Sequence, residues 1–300
     1  MPSFPTPKPI LLTFTVQAGN VELIASDRDD TVVTVLPMNP SKRGDIAAAE
    51  ATTVDASGDR ITVVSPKRFN MIGSTDSILV RVELPSGSRV EGDCSYGAVR
   101  GRGRLGDVRI KTSYGELAFD DLGAAELRTG GGEIAVGTVT GDARFTLSNG
   151  TVRVDVIDGS AFVKSSNGDI VISEITGELE ASTSSGNIDV HFPGTVTAVK
   201  TAYGKVRIGD APSGSLRLET SYGEIEVGVP EGTAAWLDVS SGHGFVRSEL
   251  NADDGPTGTD RTLEVRARAK YGDILIRRPI GRRPGDRRDS RTKNRKDSES

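Results

Sequence analysis

The chain has few of the residues that build compact chemical sites. Its 300 residues include one cysteine, two histidines and one tryptophan, and aromatic residues make up 5% of the total. The single cysteine, Cys94, excludes a disulfide framework and a cysteine-based metal centre, and it is interpreted as a small buried apolar residue. No stretch approaches the ~20 consecutive apolar residues of a membrane-spanning helix. The composition therefore excludes the disulfide-rich and transmembrane classes.

A strong charge of either sign is also missing. The 37 Lys and Arg residues are nearly balanced by 42 Asp and Glu residues, for a formal net charge of −5. No overall field therefore favours nucleic acid. Residues 1–9 are rich in proline and lack a basic cluster, and the apolar run that follows extends only from Ile10 to Val16. This pattern is unlike a secretory signal, so we expect a cytoplasmic protein.

Glycine, in contrast, is abundant and recurs at a nearly fixed spacing. A landmark glycine is followed by one residue, usually polar, and then by an aliphatic residue, as in Ser166-Asn167-Gly168-Asp169-Ile170. Most landmarks lie 17 to 19 residues apart, and the last two intervals are 21 and 28. A short fixed period is typical of solenoids, whose repeats bury their apolar faces by stacking. The landmarks are Gly97, Gly115, Gly132, Gly150, Gly168, Gly186, Gly204, Gly223, Gly244 and Gly272.

A second glycine column runs half a repeat out of phase. After glycines of both columns, apolar residues recur two positions apart, which is the period of a strand with one buried face. The sequence therefore predicts an all-β fold, a single-chain parallel β-solenoid of about ten ~18-residue coils, ~50 Å long. Two glycine columns favour two main sheets over three, and a right-handed path is expected. The second column is Gly106, Gly123, Gly141, Gly159, Gly177, Gly194, Gly214 and Gly232.

Three regions are predicted along the chain. Residues 1–90 are interpreted as an irregular N-terminal β section that covers the first coil, and residues 91–278 as the solenoid repeats. Residues 250–260 are expected to form a surface loop between two strands, and a last strand pair at 262–269 and 273–277 is expected to close the rod. Residues 279–300 lack a sizeable apolar run and are predicted to be a disordered tail. Its eight basic and four acidic side chains predict weak contact with anionic surfaces.

These motifs resemble a known bacterial group. Repeated Tyr-Gly, Asn-Gly or Ser-Gly pairs followed by Glu/Asp-Ile, together with opening strands that end in Glu83-Leu84-Pro85-Ser86-Gly87-Ser88, are similar to the "putative adhesin" β-strand-repeat family, a domain of unknown function. The similarity covers roughly residues 9–278 and is greatest to actinobacterial intracellular members. The resemblance implies the fold and no established activity. It supplies no catalytic residues.

The residues that usually carry chemistry do not form a recognisable constellation. His191 and His243 lie in different coils without metal-ligand spacing or a nucleophile nearby. The glycine runs at 101–106 and 129–132 lack the lysine and the following helix of a phosphate-binding loop. We therefore predict no catalytic, cofactor-binding or metal-binding residue. A column of outward carboxylates is interpreted as a solvated face; it comprises Glu116, Glu133, Asp169, Glu224 and Asp273.

The tyrosines form the one unusual pattern. All five directly precede a landmark glycine, at Tyr96, Tyr114, Tyr203, Tyr222 and Tyr271. One interpretation is a turn residue that stacks on its neighbour along the ladder. The other is a contact edge for a partner, because tyrosine is enriched at interfaces.

The sequence thus predicts a non-enzymatic interaction scaffold with a protein partner or a second copy of itself. A self-assembling β-helix filament and a membrane-surface-associated scaffold are the alternatives. A carbohydrate-active β-helix enzyme is disfavoured by the scarcity of aromatic residues and of acid–base pairs.

Overall fold

A computed structural model of the chain describes residues 2–66, 76–250 and 261–279. Strands dominate, with a single helix among the described residues, α1 (Arg43–Glu50). The strands are β1 (Ser3–Pro5), β2 (Leu11–Ser26), β3 (Asp30–Pro37), β4 (Thr53–Ser57), β5 (Arg60–Val64), β6 (Ile78–Pro85), β7 (Arg89–Tyr96), β8 (Val99–Arg104), β9 (Val108–Tyr114), β10 (Leu117–Leu122), β11 (Ala125–Gly131), β12 (Ile134–Val139), β13 (Ala143–Asn149), β14 (Val152–Ile157), β15 (Ala161–Asn167), β16 (Ile170–Ile175), β17 (Glu178–Ser185), β18 (Ile188–Phe192), β19 (Val196–Tyr203), β20 (Val206–Ile208), β21 (Gly214–Tyr222), β22 (Ile225–Gly228), β23 (Thr233–His243), β24 (Val246–Ser248), β25 (Arg261–Tyr271) and β26 (Ile274–Arg277).

Each repeat contributes one strand to each of two parallel sheets, which confirms the predicted β-solenoid. Sheet A contains the strand that follows the landmark glycine, and sheet B contains the strand that precedes it. In sheet A, Ile170 of β16 lies between Val152 of β14 and Ile188 of β18. In sheet B, Ala161 of β15 aligns with Ala143 of β13. Like strand therefore stacks on like strand, because the repeats have nearly the same length.

The core lies between the two sheets. In β14, Val152 and Val154 point inward and are fully buried, whereas Arg153 between them is exposed. Ile157, at the end of the same strand, is also fully buried. The β-branched residues suit this role because their side chains pack well on a pleated surface. One continuous apolar cluster extends from Ile10 to Ile276.

The landmark glycines occupy the turn from sheet B to sheet A. Gly168 has a φ of +137° and Gly186 one of +144°. A Cβ atom built on Gly168 would lie 1.8 Å from the carbonyl oxygen of Gly150 in the adjacent coil. Both the backbone conformation and the close approach of the neighbouring coil therefore require glycine.

The N-terminal end does not follow chain order. The long strand β2 bends at Gly19 (φ +131°) and enters both sheets, so it forms a coil of its own. It lies between the coil of β7 and β8 on one side and the pair β5 and β6 on the other. The sequence Ala18-Gly19-Asn20-Val21 matches the repeat pattern, with Gly19 at the position of a landmark glycine.

Antiparallel strands and the helix cover this end of the rod. β4 pairs antiparallel with β5, β3 pairs antiparallel with β6, and β1 pairs with β3. Helix α1 places Ala48 against the core. Asp45 of α1 is buried and accepts hydrogen bonds from the backbone N–H groups of Asn39 and Ser77, which fixes the helix to the sheet.

The C-terminal end also departs from chain order, and here the sequence prediction was wrong. The pair β25 and β26 stacks directly on β21 and β22. The preceding pair, β23 and β24, lies outside it, and among the described strands β23 pairs only with β25 and β24 only with β26. The last coil of the chain is therefore inserted between two earlier ones. The interval of 28 residues from Gly244 to Gly272 is long enough for the chain to pass from the outermost coil back to this inner position.

The described residues cover the outermost coil only in part. Leu237 and Val239 of β23 are half-buried, whereas the inward residues of the adjacent β25, such as Val265, are fully buried. Phe245 and Trp236 are 80% and 57% exposed. The predicted loop at 250–260 and tail at 279–300 lie, apart from Leu250 and Pro279, outside the described residues. No helix in the described ranges is long and apolar enough to cross a membrane.

Candidate functional site: an aromatic edge on the solenoid

The five tyrosines lie on one edge of the rod, where the strands of sheet B end. Each tyrosine is the last residue of its strand, and the strand register places these last residues in one column. The turn glycine that follows orients the side chain outward. From the N-terminal end, the column contains Ala18, Tyr96, Tyr114, Gly131, Asn149, Asn167, Ser185, Tyr203, Tyr222, Tyr271 and His243.

Four rings at the C-terminal part of the column form a continuous stack, which we call the aromatic ladder: Tyr203, Tyr222, Tyr271 and His243. The ring centroids of Tyr203 and Tyr222 are 5.0 Å apart, and those of Tyr222 and Tyr271 are 4.9 Å apart, with planes inclined by 4° in both pairs. His243 stacks on Tyr271 at 4.6 Å and 9°. These distances match the separation of adjacent strands, about 4.8 Å, so the backbone ladder sets the ring spacing.

The aromatic ladder differs from the expectation in two respects. Tyr271 contacts Tyr222 directly, because β25 is the neighbour of β21, whereas chain order would put His243 between them. His243 belongs to the ladder instead of being an isolated surface histidine. His243 directly precedes the landmark Gly244, as each tyrosine precedes its own landmark glycine. The sequence therefore already indicated that His243 belongs to the tyrosine column.

The other two tyrosines lie in consecutive coils, as predicted, and are more exposed. Tyr96 aligns with Tyr114, and the two residues are 60% and 67% exposed, respectively. No ring stacking joins them within the described structure. The Tyr114 ring lies over Gly131 of the next coil, where an added Cβ atom would be 2.6 Å from its Cε2 atom. Glycine at position 131 therefore leaves room for this ring.

Between the two tyrosine groups the column is small and polar. The Asn167 side-chain amide donates a hydrogen bond of 3.1 Å to the side-chain oxygen of Asn149. Gly131 and Ser185 complete this part of the column. The edge thus presents two aromatic groups separated by several coils of small residues, as the sequence predicts.

The aromatic ladder remains accessible to a partner. Tyr203 and Tyr222 are 58% and 44% exposed. Within the described part of the chain, no hydrogen bond occupies the hydroxyl group of any of the five tyrosines. Stacked aromatic pairs contribute about 0.5–1.5 kcal/mol beyond their buried area, so the ladder also stabilises the C-terminal coils. The result is a rigid row of phenol edges with free donors and acceptors.

Sheet A carries a charged cluster that the sequence did not predict. The Glu226 carboxylate is mostly buried and forms an ion pair of 2.8 Å with Lys205 and hydrogen bonds with Arg277. Burial alone would raise the pKa of Glu226, but the hydrogen bonds from Lys205 and Arg277 outweigh it and hold this pKa below its usual value. Arg277 reaches Glu226 because β26 is adjacent to β22, and chain order does not predict that contact.

The outward carboxylate column is occupied by structural contacts. Asp169 accepts a hydrogen bond from the backbone N–H of Asn187, and Asp273 accepts one from that of Phe245. Glu116 pairs with Arg100 at 2.5 Å. No group of three or more His, Cys, Asp or Glu side chains within residues 2–66, 76–250 and 261–279 is arranged to hold a metal ion. His191 packs edge-on against Phe192.

Solved structures of low sequence identity resemble this chain. A "putative adhesin" from Parabacteroides merdae is 11% identical, with 92% of this chain and 94% of that chain covered and a TM-score of 0.36. A "putative lipid binding protein" from Parabacteroides distasonis is 10% identical, with 93% and 96% covered and a TM-score of 0.35. A "putative cell adhesion protein" from Clostridium sporogenes is 11% identical, with 92% and 98% covered and a TM-score of 0.21. No curated protein matches the chain.

The family assignment rests on sequence. The profile of the Toastrack DUF4097 family matches residues 11–277, which include every strand from β2 to β26. This range begins with β2, so the family unit contains the interleaved N-terminal coil as well as the regular repeats. The chain belongs to the Toastrack family, the adhesin-like β-strand-repeat domains of unknown function.

Proposed function

We propose that the protein is a non-enzymatic scaffold that binds a partner protein along its aromatic edge. The observation that carries the proposal is the aromatic ladder. Three tyrosines and one histidine are held in parallel at intervals of 4.6–5.0 Å, while their outer edges face solvent. Rigid aromatic side chains with a polar tip are the residues that most often anchor protein interfaces.

The geometry favours an extended partner over a small ligand. Stacking covers the ring faces inside the ladder, so a flat ligand cannot lie on them. The phenol edges and hydroxyl groups remain accessible in a straight row with the spacing of β-strands. A partner segment that crosses several coils can therefore contact more than one ring. Tyr96 and Tyr114 provide a second contact group on the same edge.

Paired substitutions test this proposal. Tyr203→Asn with Tyr222→Asn replaces two ladder rings by a residue that occupies the same column at positions 149 and 167. A photo-crosslinking amino acid at Tyr222 would identify the partner in extract of the native cell. We expect binding of the purified partner to weaken by about thirtyfold or more, as for loss of an interface anchor.

The comparison variant, Tyr96→Asn with Tyr114→Asn, removes the second contact group without breaking a ring stack, so it should weaken partner binding with little change in melting temperature. Melting temperature separates binding from folding. A loss of stability in the ladder variant with unchanged partner binding would show that the ladder only stabilises the fold. The cytoplasmic location remains a prediction, and fractionation of native cells would test it.

A further inference from the structure

The C-terminal end of the rod exposes a strand edge that no described residue pairs. Within residues 2–66, 76–250 and 261–279, β23 pairs only with β25. Alternate residues of a parallel strand bond to the same neighbour. Arg261 donates its N–H to the Gly232 carbonyl, so the even-numbered residues of β23 direct their backbone groups toward β25. The backbone groups directed away from β25 are therefore those of Ala235, Leu237, Val239 and Ser241.

Among the residues that the structure describes, none gives the β23 edge the usual protection. Sheet proteins blunt exposed edges with lysine, proline or a covering element. β23 has eleven residues and contains one charged side chain, Asp238. That carboxylate is already neutralised by two hydrogen bonds of 2.7 Å from Arg268. At the opposite end, β1, β3, β4 and α1 cover the stack.

Apolar side chains surround this edge. Leu237 and Val239 face the core of the last coil and are only half-buried. Trp236, Phe245 and Val246 are exposed beside them. In the interior coils, residues at the positions of Leu237 and Val246 are fully buried, as Val265 and Ile274 show. One further layer of strands would complete the core.

We propose that this layer is a second copy of the chain, with β23 of one protomer paired to β23 of its partner about a two-fold axis. Such an axis makes the two strands antiparallel. It also brings the free backbone groups of one copy opposite the equivalent groups of the other. The assembly closes at two copies, since the covered N-terminal ends cannot continue a fibre.

Light scattering coupled to gel filtration tests the full-length chain. We expect the wild type to have twice the monomer mass and to dissociate on dilution. Trp236→Glu with Phe245→Glu places like charges at the symmetric contact and should raise the dissociation constant by about thirtyfold or more. Leu36→Glu, at an exposed apolar residue of the covered end, is the matched control and should leave the mass unchanged.

A second variant targets the backbone edge. Val239→Pro removes one outward N–H group and leaves the bonds between β23 and β25 in place, because proline is tolerated at edge positions. We expect it to weaken the dimer while the chain remains folded, as its circular dichroism spectrum would show. The inference is overturned if the wild type is monomeric, if it forms species larger than dimers, or if its dimer persists in both variants.

Hydrogen exchange then identifies what covers the edge. A monomer with protected amides at Leu237 and Val239 would show that other residues of the same chain cover β23, and this outcome also overturns the proposal. The inference is independent of the proposed partner site. Tyr203→Asn with Tyr222→Asn should leave the dimer mass unchanged.

Discussion

A valine at Gly168 would test the stacking of the coils directly. Two costs add at this position. A φ of +137° is disfavoured for any residue with a Cβ atom and costs about 1–3 kcal/mol. The Cβ atom would also lie 1.8 Å from the carbonyl oxygen of Gly150, so the two coils must separate by more than about 1 Å to reach van der Waals contact.

Separation of the coils weakens specific hydrogen bonds. Between these two coils, Gly150 N–H donates to the Asn167 carbonyl at 2.9 Å, and Val152 N–H donates to the Asp169 carbonyl at 2.9 Å. Each contributes about 0.5–1.5 kcal/mol. Gly168→Val should therefore lower the free energy of unfolding by about 2–6 kcal/mol in total. At about 2–4 °C per kcal/mol, the melting temperature should fall by roughly 4–24 °C.

Gly58→Val is the matched control. Gly58 also has a positive φ, +62°, but no atom lies within 4 Å of its Cβ position. This variant carries the backbone cost alone, about 1–3 kcal/mol. Thermal unfolding of both variants by circular dichroism gives the comparison. Equal shifts in melting temperature would refute the argument that the neighbouring coil excludes a side chain at Gly168.

Two further predictions concern buried polar groups. Glu226→Gln should destabilise the protein by about 1.5–3 kcal/mol at neutral pH, because it removes a charged acceptor from Lys205 and Arg277. The pKa of Glu226 is lowered on folding, so its contribution is complete above its usual pKa and is lost as the pH falls through the folded value. Melting curves of the two proteins should therefore converge in acid, and a constant difference would contradict the assignment. For Cys94, burial and the nearby Asp93 raise the pKa to about 11, so a thiol reagent at pH 8 should modify the protein only after denaturation. Modification of the native protein at the rate of a free thiol would contradict the buried position.

The repeat period was sufficient to predict the fold. Glycine spacing identified the turns, and apolar residues such as Val152 and Val154 identified the buried face. The repeat period predicts which residues align in neighbouring coils, provided that the coils stack in the order in which they occur in the chain. It therefore gave the correct alignment of Tyr203 with Tyr222.

Coil order at the two ends was not predictable from the period. β25 and β23 have the same alternation of inward and outward residues, so the sequence pattern fits either order of stacking. The choice depends on packing across the whole end and on the chain length available at residues 249–260. The contacts of Tyr271 with Tyr222 and of Arg277 with Glu226 follow from that choice, and both were missed.

The inserted last coil has a consequence for synthesis on the ribosome. β23 and β24 emerge before β25 and β26, yet their place in the finished rod is on top of those later strands. Until then, β21 offers a free edge of matching pattern, so a premature pairing of β23 with β21 must be avoided or undone. The rod cannot be completed from one end to the other as the polypeptide appears. The rod is complete only after Arg277, the last residue of β26, has been synthesised. A nascent chain stalled before residue 261 therefore lacks the coil of β25 and β26, which joins β23 to the other coils.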